Sequence, residues 1–220
     1  MHKAIVHKEI ARDNVKLANF EPALPRERPF AISVVVNAAL KIDFVDAADY
    51  LEGEERSEIK HEFVRGVVYG MAGASREHNR IAGNFFAALH NHIGGGNCQV
   101  SMSDLKLQVG QADAFYYPDV MVTCDPRDKS SLFNQYPKVI IEVLSEGTER
   151  IDRIEKFSAY TQIETLEEYV LIAQGKAEAV VFRRANGWAP EIVAGLDSEL
   201  RLRSLNFAAN LGRIYAGVTV

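Results

Sequence analysis

The sequence predicts an α/β domain, and three observations carry that prediction. Two short apolar runs rich in β-branched residues, Tyr117 to Val122 and Val139 to Ser145, read as buried strands, and each contains one acid. A segment with three- and four-residue apolar spacing, Arg76 to Ile93, reads as an amphipathic helix closed by Gly94-Gly95-Gly96. Paired alternating runs around turn residues read as hairpins.

The elements follow in order. Asp46 caps a short helix with Ala47, Tyr50 and Leu51 as its apolar positions and Gly53 near its end. His61 to Met71 is a strand, a turn at Gly66 and a second strand, which as a hairpin puts Glu62 near Tyr69. After the 76–93 helix, Cys98 to Val109 alternates and predicts one strand, with Gln111 to Asp113 turning into the Asp119 strand. The Glu142 strand leads through a turn at residues 145–148 to a helix over about 149–162. Its predicted apolar stripe is Ile151, Ile154, Phe157 and Thr161, with Asp152, Lys156 and Tyr160 on the other side, each four apart. Three strands follow, at Glu168–Ala173, Ala177–Arg183 and Trp188–Val193, joined by turns at Gly175 and Asn186-Gly187. A closing helix is predicted from Leu205 to Tyr215. Residues 1–40, with Pro22, Pro25 and Pro29 and no sustained periodicity, are expected to be an N-terminal extension. Two origins fit it: a flexible arm, or a start assigned upstream of a true beginning near Val34 to Leu40. Residues 41–220 then form the folded domain.

Composition narrows the function classes. With 47% hydrophobic and 25% charged residues in 220, the chain is an ordinary globular protein. It has no apolar stretch long enough for a membrane helix, and its first residues lack a basic-then-apolar secretory pattern. Cys98 and Cys124 match no metal-knuckle spacing and are expected to be free thiols in a reducing cytoplasm. A net charge of −5 does not advertise nucleic-acid binding, yet leaves room for a local basic patch from Arg76, Arg80, Lys106, Arg150, Arg153 and Lys156. No GxSxG, P-loop or Rossmann fingerprint is present, which disfavours serine hydrolases, NTPases and dinucleotide enzymes.

Asp119 and Glu142 carry the chemical argument. An ionised carboxylate in a buried strand costs several kcal/mol or more unless it is paired, hydrogen-bonded or bound to metal. Two such acids on neighbouring strands with a lysine close by form an acidic pocket suited to a hard divalent cation such as Mg²⁺. Taken alone, Asp152 and Lys156 would be a surface ion pair worth roughly 0.3–0.5 kcal/mol. Ser145 and Thr148 suit capping of the following helix.

The ordered set His61-Glu62-x-x-x-Gly66 to Met71, His78, Pro118-Asp119-Val120, then Glu142-Val143-Leu144-Ser145-x-x-Thr148-x-x-x-Asp152-x-x-x-Lys156-x-x-x-Tyr160 and Glu168-Tyr169 resembles the Uma-two type family of restriction endonucleases. That family lies in the PD-(D/E)XK nuclease superfamily, and the resemblance covers about residues 41 to 215. It implies a restriction-endonuclease-like core, a mixed β-sheet flanked by helices, and an Mg²⁺- or Mn²⁺-dependent endonuclease acting on DNA. Asp119 and Glu142 would be metal ligands, with the Val143 carbonyl as a third and Glu62 as an auxiliary acid. The superfamily lysine should follow the second acid by two residues, where this chain has Leu144, so the resemblance points to Lys156 as the catalytic amine. His78, Asp152 and Tyr160 would be auxiliary residues, and a homodimer is expected by analogy. Two other functions fit the same fold: a catalytically inactive nucleic-acid-binding or assembly module, and a metal-dependent hydrolase of small phosphoesters.

Overall fold

The computed structural model describes residues 44–145, 147 and 150–220; the N-terminal extension and most of the turn into the Lys156 helix lie outside this range. The chain begins with α1 (Ala47–Glu54), whose N-cap Asp46 accepts the Asp49 N–H. The hairpin β1 (His61–Val64) and β2 (Val67–Gly70) pairs Glu62 with Tyr69, as the pattern predicts. Arg65 and Gly66 both have positive φ, the requirement of a tight two-residue turn, and a Cβ on Gly66 would come within 2.6 Å of the Phe44 ring. Helix α2 spans Arg76–Ile93 with Ser75 as its cap.

Next come β3 (Gln99–Met102), β4 (Lys106–Val109), β5 (Ala114–Tyr116), β6 (Val120–Thr123), β7 (Phe133–Asn134) and β8 (Pro137–Leu144). Past the turn, a π-helical stretch (Ile151–Lys156) runs into α3 (Phe157–Tyr160). The chain closes with β9 (Glu168–Ala173), β10 (Glu178–Arg183), β11 (Pro190–Ala194), β12 (Glu199–Leu202), β13 (Phe207–Asn210) and α4 (Leu211–Ile214).

These strands form a six-stranded sheet, β11-β10-β9-β8-β6-β3, a five-stranded sheet, β2-β1-β5-β4-β7, and the β12-β13 hairpin. β8 pairs antiparallel with β6 and parallel with β9, so the larger sheet is mixed. Side-chain alternation along β8 divides the core. Val139, Ile141 and Val143 pack with Ile81, Phe85 and Leu89 of α2. Ile140 and Leu144 face the other way, with Met121, Ala159, Tyr160 and Leu107. Burying each large apolar side chain is worth about 1.5–3 kcal/mol, so both layers hold the sheet in place. Glu142 has the parity of Ile140 and Leu144 and points into the second layer. No helix among the described residues is long and apolar enough to cross a membrane.

Five expectations are corrected. The predicted 98–109 strand is two strands in different sheets, because parity breaks between Met102 and Leu105 and the chain crosses from β6 to β5. Asp119 immediately precedes β6 rather than lying within a strand. Leu200 and Leu202, with Phe207 and Ala209, alternate into the β12-β13 hairpin, leaving only 211–214 of the predicted closing helix. In the Lys156 helix the predicted apolar stripe is not the buried face: Ile154 is 59% exposed and Ile151, Phe157 and Thr161 are half-buried, while Asp152, Lys156 and Tyr160 on the opposite face are buried. Cys98 and Cys124 are not free thiols. They flank the Gln99–Thr123 register pair of β3 and β6 and form a disulfide, a proximity that a spacing of 26 residues does not reveal.

Candidate functional site

The buried face of the Lys156 helix meets the second layer of the core, and three acids converge there on one ammonium. Lys156 Nζ lies 3.1 Å from Glu62 Oε1, 3.1 Å from Glu142 Oε1 and 3.3 Å from Asp152 Oδ1. Its partners come from three places: Glu62 from β1, Glu142 from β8, and Asp152 one turn back on its own helix. The stretch holding Asp152 and Lys156 is π-helical, a local form often found at functional sites. Tyr160, four residues on, donates to Glu142 Oε1 at 2.9 Å.

Asp119 is tied to the same acid through the backbone. Its N–H donates to Glu142 Oε2 at 3.3 Å, and its Oδ2 accepts the Val143 N–H at 2.7 Å. His78, in the first turn of α2, places Nε2 3.1 Å from Asp119 Oδ2. These contacts fall on Oδ2, and Oδ1 accepts no hydrogen bond from the described residues. Asp119 and His78 have side chains 15% and 14% exposed, against 3–7% for Glu62, Glu142, Asp152 and Lys156. The cluster therefore has a closed end at Lys156 and a more open end at Asp119.

The electrostatics follow from four acids sharing few cations. Burial pushes the Glu142 carboxyl well above the usual range; Lys156 pulls it back, and Asp119, Asp152 and Glu62 add to the rise. Burial alone would lower the Lys156 ammonium, but the Glu142 and Glu62 charges outweigh it and hold the amine well above its ordinary value. Both directions state one fact: the pocket is short of positive charge. For His78 burial lowers the pKa, but the hydrogen bond and charge of Asp119, with smaller help from the Val143 backbone and Asp152, outweigh it and leave a net rise. Burial likewise raises Tyr160 and Tyr169 well above the ordinary phenol.

All seven predicted site residues, Glu62, His78, Asp119, Glu142, Asp152, Lys156 and Tyr160, thus belong to one contact network. Sequence reasoning placed Tyr169 in the resembling motif without a role and missed Tyr116 altogether: the Tyr169 hydroxyl donates to the Asp152 carbonyl at 3.1 Å, and the Tyr116 ring lies 5.7 Å from Lys156 Nζ. Tyr116 directly precedes the Tyr117-Pro118-Asp119 run, and that adjacency was its only signal. Of the expected basic patch, Lys106 and Lys156 are buried, whereas Arg76, Arg80, Arg150 and Arg153 are exposed.

The donor chemistry fits a hard divalent cation. Among the described residues no group of three or more His, Cys, Asp or Glu side chains forms a ready metal cage, since the ammonium stands where three acids converge. Mg²⁺, however, needs only one or two carboxylates and keeps several waters. Asp119 Oδ1 and Glu142 Oε2 supply such a pair of oxygens. Among the described residues the buried Asp152 Oδ1 has no hydrogen-bond donor, although Lys156 lies within ion-pair distance of it. A buried oxygen so poorly satisfied marks a pocket that favours more positive charge.

The family profile named Uma2, described as "Putative restriction endonuclease", matches residues 47–212. The uncharacterized protein slr1290 of Synechocystis sp. is 37% identical over 172 residues, covering 77% of this chain and 90% of its own. A second uncharacterized Synechocystis protein, sll1609, is 38% identical over 144 residues, covering 64% of this chain and 80% of its own. A crystal structure of "a putative nuclease belonging to DUF820" from Anabaena variabilis superposes with a TM-score of 0.66 at 15% identity, over 78% of this chain and 98% of that one. The fold is the restriction-endonuclease-like α/β core expected from the sequence.

Proposed function

The chain belongs to the Uma2 family, and from that membership together with the acid cluster we propose that it is a metal-dependent endonuclease hydrolysing DNA phosphodiesters. The observation that carries the reading is the placement of Lys156 Nζ 3.1 Å from Glu142, inside the acid cluster and not in solvent. A lysine absent from position 144 has an equivalent amine delivered from the following helix.

Asp119 and Glu142 would hold Mg²⁺ or Mn²⁺, with Glu62 as the auxiliary acid. When bound, the cation would offset phosphate charge and ease ionisation of the attacking water. The protein's own groups do the rest. Lys156, protonated across the physiological range, is a fixed positive charge rather than a proton acceptor; it orients Glu142 and Glu62 and offsets charge building on the phosphate. Tyr160 holds Glu142 Oε1, leaving Oε2 directed toward Asp119. Asp152 fixes the ammonium from within its own helix. His78, its pKa raised beside Asp119, orients that carboxylate and can donate to a phosphate oxygen at the open end.

Cleavage of supercoiled plasmid by the purified protein with Mg²⁺, Mn²⁺ or EDTA tests the reading, run beside Asp119→Ala, Glu142→Ala and Lys156→Ala. Cation-dependent nicking lost in all three variants is expected. An inactive wild type that still binds Mn²⁺ through Asp119 and Glu142 would move the protein to the non-catalytic binding module.

A further inference from the structure

On the outer face of α2, turned away from the acid cluster, lies a cleft of about 270 Å³ lined by Arg76, Asn79, Arg80, Gly83 and Asn84. The first four fall at i, i+3, i+4 and i+7, one stripe of the helix. His78 lies on the opposite face with the buried Ile81 and Phe85. Among the described residues neither Arg76 nor Arg80 has an ion-pair or hydrogen-bond partner, so two guanidinium groups, each with five donors, are uncommitted. Arg80 is nonetheless positioned: its side chain lies against Gly217, where a Cβ would come within 2.9 Å of Nη1. Asn84 Nδ2 fixes that wall by donating to the Ile214 and Ala216 carbonyls at 2.9 and 3.0 Å. Gly83 lies in the middle of the helix, where glycine is costly, and a Cβ there would meet no described atom beyond the helix's own backbone within 4 Å. No internal packing explains it, but a ligand approaching the helix backbone would.

We propose that this cleft binds the phosphodiester backbone of the DNA strand leading away from the scissile bond, with Arg76 and Arg80 as phosphate contacts over the Gly83 floor. The proposal rests on the nuclease reading for its partner. Charge complementarity selects that partner: on a chain of net charge −5, two arginines unpaired among the described residues and facing one cleft are a local cationic site. About one helix width, ~10 Å, separates the cleft from the acids. A DNA strand carries a charge every ~3.4 Å of axis, so two or three phosphates span that distance. The cleft reads no sequence, because phosphate contacts position DNA and do not specify bases.

Fluorescence anisotropy of a labelled duplex in EDTA tests this without cleavage or cation. Arg76→Gln/Arg80→Gln should weaken binding about tenfold or more near 0.1 M salt, and should lower the slope of log affinity against log salt by about 1–2. Gly83→Leu, which fills the cleft without changing charge, should also weaken binding while the thermal midpoint is retained. Wild-type affinity and slope in these variants would overturn the proposal. The two readings fail separately. A wild type that never nicks plasmid but shows these binding losses keeps the track and loses the hydrolase, whereas nicking with undiminished variant affinity does the reverse.

Discussion

Lys156 Nζ and Glu142 Oε1 meet at 3.1 Å in a pocket that leaves both side chains under 8% exposed, on a helix that turns its Ile154 outward to bring them together. Exposing an isoleucine and burying a lysine is unfavourable for folding alone. Glu62, Glu142 and Asp152 sharing the ammonium offset that cost.

The first prediction follows from that dependence. Lys156→Met keeps the bulk and removes the charge, leaving three acids buried with no common counter-ion. Removing one partner of a buried ion pair typically costs about 3–5 kcal/mol, and that range is expected here in urea unfolding at pH 8. The loss should shrink at pH 5, where the acids can take up protons. A variant as stable as wild type at pH 8 would mean that the ammonium is not the pocket's principal compensation.

The second concerns pH. Glu142 in the folded protein has a pKa raised above its unfolded value, chiefly by burial. The folded state therefore binds its proton over a range where the unfolded state has lost it. That stability is fully present below the unfolded value, near 4.3, and is lost as pH rises through the folded one. Glu142→Gln cannot titrate. In EDTA, its unfolding free energy relative to wild type should climb between pH 5 and 8, by no more than about 1.4 kcal/mol per unit. A flat difference would sink the idea that burial governs this carboxyl.

How legible was all this in the sequence? Asp119 and Glu142 stood out because an acid in an apolar strand breaks a local rule, and such breaks gather at functional sites. The 76–93 helix and the 61–71 hairpin were legible because capping and turn chemistry are local. Ile154 shows where that logic stops. Its spacing fits an apolar stripe, but an apolar stripe faces inward only where no tertiary charge cluster recruits the opposite face. Met102 to Leu105 did carry the parity break that splits two strands, and the pairs Leu200/Leu202 and Phe207/Ala209 each alternate with period two, on either side of a parity break between them. Nothing local shows that Cys98 and Cys124 face each other, since register pairing belongs to the sheet.

The third prediction uses His78. Burial lowers its pKa and Asp119 more than offsets this, so in ¹H–¹⁵N spectra of the imidazole it should titrate above the ordinary 6.5. In Asp119→Asn that charge is gone while the burial remains, and the pKa should fall. An unchanged value in that variant would show that the imidazole does not sense Asp119, and would remove it from the proposed site.

The last prediction tests the disulfide as a link between sheet edge and site. Cys98 and Cys124 join the edge strand β3 to β6 at the end of the ladder away from Asp119, and the Ser103 N–H reaches the Asp119 carbonyl at 3.3 Å at the near end. A cross-link over a separation of 26 residues restricts the unfolded chain and is worth roughly 2–4 kcal/mol. Cys98→Ser/Cys124→Ser should lose that amount in urea, and dithiothreitol should lower wild-type stability to the same level. The Mn²⁺ affinity of the double variant should stay within about twofold of wild type, because β8 and the acid cluster hold Asp119 from the other side. A larger fall in affinity would mean that the edge strand, rather than the cluster, positions Asp119.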